Sequence, residues 1–107
     1  MKPAVLLSAA ERDLLERTEH SANVCGDVLA GRFIETSFAA IRAIEKMPGI
    51  GASHIAELCD VPGLREWRVK GFPVHLFYFE RAEHVDVVRL LADAQNLAAP
   101  LGMPTDE

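Results

Sequence analysis

Cysteine is scarce in this chain, two residues in 107, and Cys25 and Cys59 stand too far apart in sequence to form a disulfide framework or a zinc site. They read as small buried apolar side chains. Long apolar runs are also missing: after Lys2 and Pro3 the stretch Ala4 to Leu7 is followed at once by Ser8 and a polar pattern. Nothing there resembles a secretory leader, and no run approaches the roughly 18 apolar residues of a membrane span, so a cytoplasmic protein is expected. Positive charge is in deficit, with 11 basic and 16 acidic side chains and a net charge of −5. Coating nucleic acid through bulk charge is thereby disfavoured, because non-specific binding comes from neutralising phosphates. The four histidines, His20, His54, His75 and His84, show no mutual spacing of the metal-ligand kind. No metal or other cofactor is expected.

What is present suits one domain over residues 1–107. Half of the residues are hydrophobic and the mass is 11.7 kDa, enough for a core that buries roughly two-thirds of the unfolded chain's surface. Ala4 to Leu7 predicts a short strand, and Ser8-Ala9-Ala10-Glu11 reads as a capping box opening a helix. Ser21, Asn23, Gly26 and Asp27 place a break between 21 and 27. From about Val28 to Met47, the apolar residues Ala30, Phe33, Ile34, Ser37, Phe38, Ile41 and Ile44 recur in steps of three and four, a helix. Pro48, Gly49 and Gly51 end it. Residues 52–63 form a loop with one helical turn near 53–58. Three runs rich in β-branched and aromatic residues follow, 64–69, 74–80 and 85–91, with hairpin-length links. The tail from 93 carries Pro100, Gly102 and Pro104 and is expected to be loosely ordered after a helical turn near 94–98.

The fold class is therefore α+β in two layers: a strand, a helical hairpin, then a three-stranded antiparallel meander. Alternation along the middle strand puts Val74, Leu76 and Tyr78 on one face and His75, Phe77 and Phe79 on the other. In the last strand it opposes Val85 and Val87 to Val88 and Leu90. Both faces are apolar, so the second is covered by the 52–63 loop and the tail or awaits a partner.

The run from Pro62 to Glu80, with Gly63-Leu64-Arg65, Trp67, Lys70-Gly71 and Leu76-Phe77-Tyr78, followed by Val85-Asp86-Val87-Val88-Arg89-Leu90-Leu91, resembles the ParE branch of the RelE/ParE toxins. The likeness extends more weakly upstream through Ala10, Glu11, Asp13, Leu14, Ala30, Phe33, Ile41, Ile44, Pro48 and Gly51. It implies a toxin of a type II toxin–antitoxin, plasmid-stabilisation-like system, neutralised by a ParD-like antitoxin and acting on DNA gyrase. It implies no direct nucleic-acid binding by the toxin alone. The RelE branch instead cuts messenger RNA on the ribosome, which requires side chains that activate the ribose hydroxyl, stabilise phosphorane charge and protonate the leaving oxygen. Where relatives carry a Leu-His-x-x-Arg-Asp pattern, this chain has Ala92, Gln95 and Asn96. That departure favours a binding protein over an enzyme, and leaves a third reading, a non-toxic relative that binds an antitoxin or regulates.

The candidates for contact with target or antitoxin are Arg65, Trp67, Arg68, Tyr78, Arg81 and Arg89. Each has a plainer competitor: Arg65 capping carbonyls, Trp67 packing in the core, Tyr78 satisfying its hydroxyl at the sheet margin. Leu14, Phe33, Leu76 and Val88 are candidates for an apolar groove that takes the antitoxin's C-terminal segment. Cys59 paired with a histidine would suit a thiol enzyme, but no local signature supports it. Charge is uneven along the chain: residues 61–92 carry five basic and four acidic groups, and the remainder six and twelve.

Overall fold

The computed structural model describes residues 1–92; the expectations for the tail, Gln95 and Asn96 lie outside the described residues. The elements are β1 (Ala4–Leu6), α1 (Ser8–Cys25), α2 (Asp27–Lys46), a 3-10 turn (Pro48–Ile50), α3 (His54–Cys59), β2 (Leu64–Arg68), β3 (Val74–Glu80) and β4 (Val85–Ala92). The sheet order is β1-β4-β3-β2, with β1 parallel to β4 and the other pairs antiparallel. The expected order of strand, helical hairpin and meander is the observed one.

The entry to α1 differs from the capping box. Leu7 donates its N–H to the Val87 carbonyl at 3.0 Å and accepts the Glu11 N–H, so strand pairing leads straight into the helix with Ser8 already inside and no side-chain cap. Gly26 alone makes the break, at φ 95°: its N–H goes to the Ala22 carbonyl and its own carbonyl receives the Ala30 N–H. One residue in a conformation open to glycine thus closes one helix and starts the next. Cys25, expected to be buried, is exposed beside it, and Cys59 is half-buried.

The main core lies between the helical hairpin and the sheet. Ala10, Phe33, Ile41 and Ile44 pack on Val74, Leu76, Tyr78, Val85, Val87 and Leu90, and Phe72 meets Phe33 edge-on with centroids 5.1 Å apart. A second cluster on the opposite face joins Leu64, Phe77, Val88 and Leu91 to Ile55 and Val61. The segment read as a loop with one turn therefore forms α3, which covers that face.

Strict alternation fails in β4. Phe77 pairs with Arg89 but Tyr78 pairs with Val87, which leaves Val88 as an extra residue, a β-bulge. Leu90 is thereby returned to the main core beside Val85 and Val87, while Val88 and Leu91 turn to the second cluster. The expectation that Val88 and Leu90 share a face is corrected. No described helix is long and apolar enough to cross a membrane.

Candidate partner-binding surface

Tyr78, Arg65, Arg81 and Arg89 make specific contacts within the chain. Tyr78, fully buried, donates its hydroxyl to the Pro48 carbonyl at 2.7 Å and accepts the Gly51 N–H at 2.9 Å. Arg65, its neighbour across β2 and β3, donates to the Gly51 carbonyl at 2.8 Å and the Gly49 carbonyl at 3.4 Å. The two side chains together hold the turn after α2, so the plainer reading applies to both. Burial pushes the Tyr78 hydroxyl above its ordinary 10.0, against the pull of the Gly51 N–H and the Arg65 charge.

Arg81 and Arg89 are also engaged. At the β3–β4 tip the Arg81 Nε is 2.9 Å from Asp86, its guanidinium lies 4.8 Å from the Phe79 ring centroid, and His84 is 3.0 Å from the same carboxylate. Arg89 grips Asp13 of α1 through two nitrogens at 2.7 and 3.0 Å, and Asp13 also accepts the Leu90 N–H at 2.9 Å. The interaction with Asp13 holds the Arg89 guanidinium in its charged form, raising its pKa against the opposing effect of burial. Asp13 closes the edge of β4 where the short β1 has ended.

The apolar groove candidates divide differently. Phe33 and Leu76 have no exposed surface and Val88 only 4%: the first two form the interior between α2 and the sheet, and the third is covered by α3. They are corrected from groove to core. Leu14 is half-buried and does line a surface groove of about 460 Å³, with Leu6, Glu11, Leu15 and Phe38. Leu15 is 64% exposed and Phe38 42%. The three-and-four spacing of α2 counted Ile34 and Phe38 in the apolar stripe, yet both are substantially exposed. A stripe wider than the core can cover was the available signal for this surface.

Trp67 and Arg68, the remaining candidates, lie together. With Lys70 they border a second groove of about 350 Å³, whose other wall is Thr36, Ala39, Ala40 and Ala43 of α2, with Glu35 at the rim. Trp67 is half-buried, packed by part of its ring on the main core. The two grooves flank α2, one on each side.

Residue spacing missed one polar cluster. Glu66, on the α3-covered face of β2, has the His75 Nδ1 2.9 Å from one carboxylate oxygen and the His54 Nε2 3.9 Å from the other. No described group of three or more such residues has the geometry to hold a metal ion.

No protein-family model matches the chain, and no curated protein does. In three dimensions it is similar to a chain of the chromosomal ParDE TA system from P. aeruginosa, with a TM-score of 0.73 at 17% sequence identity, over 86% of this chain and 96% of that one. The likeness is one of fold, and it spans the strand, helical hairpin and meander of this chain.

Proposed function

We propose that this chain is the toxin of a two-protein toxin–antitoxin module, held by a small ParD-like antitoxin encoded beside it, and that it acts by binding DNA gyrase rather than by turnover. The observation that carries the reading is the apolar surface left open on α1 and α2, with Leu15, Ile34 and Phe38 exposed, in a fold similar to that of the ParDE chain. Contiguous apolar surface of this kind marks a protein contact. Binding rather than catalysis is supported by the cations. A phosphate-cleaving site on the sheet would draw on Arg65, Arg81 or Arg89, and each holds internal carbonyls or carboxylates. Gyrase rests on the resemblance of residues 62–91 to the ParE branch.

Induction of the chain alone and together with the adjacent gene tests this. The expected outcome is growth arrest that co-induction relieves, a co-purifying complex, and loss of gyrase supercoiling activity with the isolated protein. Messenger cleavage in a translating extract, abolished by Arg65→Ala or Arg81→Ala, would replace gyrase binding with ribonuclease action. Unimpaired growth with intact antitoxin binding would leave a non-toxic relative.

A further inference from the structure

We infer that the groove between Trp67 and the alanine wall of α2 receives an apolar side chain of the antitoxin, and that a carboxylate next to that side chain in sequence pairs with the basic rim. The inference rests on the toxin–antitoxin reading and specifies the chemistry of the contact. The groove is built from small residues on one side, Ala39, Ala40 and Ala43, and a ring on the other, so its lining is mainly apolar. Its volume, about 350 Å³, lies at the low end of small-molecule sites. Open to solvent rather than enclosed, it suits a protruding side chain of a bound segment better than a small ligand.

Charge selects the occupant. Arg68 and Lys70, both exposed, stand on the sheet side of the groove, and Glu35 stands on the helix side. This is a local excess of positive charge on a chain whose total is −5. A segment that places its carboxylate toward β2 is attracted there, and one that places a lysine there is repelled, which fixes the direction of docking as well as its strength. Trp67 is of the residue type that dominates interface energetics when a partner completes its burial.

Trp67 is the only tryptophan in the chain, which gives a direct readout. The protein labelled with 5-fluorotryptophan is titrated with the co-encoded antitoxin while its single fluorine resonance is followed. The resonance is expected to shift on binding. Ala39→Arg, which fills the groove from an exposed helical position, is expected to weaken the complex by about 100-fold, and Lys70→Glu by about tenfold. Lys46→Glu makes the same charge change outside the groove and is expected to stay within about twofold. Circular dichroism confirms that the variants are folded, and a series of smaller fillers at Ala39, serine and leucine, grades the effect should arginine unfold the helix. A complex that forms with an unmoved resonance and tolerates Ala39→Arg and Ala39→Leu overturns the groove assignment and leaves the toxin–antitoxin reading standing. The absence of any complex with the co-encoded protein overturns both.

Discussion

Gly51 and Tyr78 show how much of this structure turns on single side chains that spacing does not connect. A Cβ at Gly51 would collide with the Tyr78 hydroxyl and come within 2.8 Å of the Glu66 carbonyl. Gly51 is therefore required by close approach, its φ of −73° being open to any residue. Gly51→Ala is expected to cost about 2–3 kcal/mol in urea unfolding through overpacking. Tyr78→Phe is expected to cost about 1–2 kcal/mol, because it strands the buried Gly51 N–H and the Pro48 carbonyl. The pair could not be read from sequence: Pro48-Gly49-Ile50-Gly51 announces a turn, but which side chain satisfies it depends on a strand 27 positions later. At the β3–β4 tip, the hydrogen bond from Arg81, with help from His84, holds the Asp86 carboxyl below its ordinary 3.8. The unfolded chain then binds a proton before the folded one does, so this contribution is present above pH 3.8 and is lost as pH falls through the lower folded value. Between about pH 6 and pH 2, the urea midpoint of Asp86→Asn is expected to fall less than that of the parent.

At the scale of elements, the sheet is held to the helical layer by one polar lock as well as by the core. β1 is only three residues long, so β4 continues past it with its backbone exposed at the edge, and Asp13 of α1 takes over by accepting both the Leu90 N–H and the Arg89 guanidinium. Removing Asp13 takes away the acceptor that the Leu90 N–H and the Arg89 guanidinium share, whereas removing Arg89 leaves the carboxylate its backbone partner. Asp13→Ala is accordingly expected to cost about 3 kcal/mol and Arg89→Ala less, with a coupling of about 1–2 kcal/mol in the double-mutant cycle. Elements were the most legible level of this sequence. Val74 to Glu80 and the long second helix follow from periodicity alone, because one alternates and the other repeats at 3.6. The bulge at Val88 does not, since a run of Val-Asp-Val-Val-Arg-Leu-Leu alternates equally well in either register. From sequence α3 reads only as a turn, because six residues give too short a window for a period, although Ile55 is wholly buried beneath the sheet.

For the molecule as a whole, the question is which apolar residues folding uses and which it leaves for something else. Core burial accounts for Phe33, Leu76 and Val88, three of the four residues that sequence alone offers as a groove, because a strongly apolar residue on a regular element looks the same whether an internal layer or a partner covers it. Leu15, exposed on α1, and Phe38, exposed on α2, are the reverse case. Folding gains little from them, so their loss should be visible in association and nearly silent in stability. Leu15→Lys is expected to leave the urea midpoint of the isolated protein within about 0.5 kcal/mol of the parent. The same substitution is expected to reduce affinity for the co-encoded antitoxin by more than tenfold, since a desolvated contact would have to accept a charge. Both are measured on one preparation, by denaturant unfolding and by titration calorimetry. Equal losses in the two would assign Leu15 to the fold, and loss in neither would remove the groove beside it from the binding surface. Loss in affinity alone separates the surface kept for a partner from the core kept for the fold.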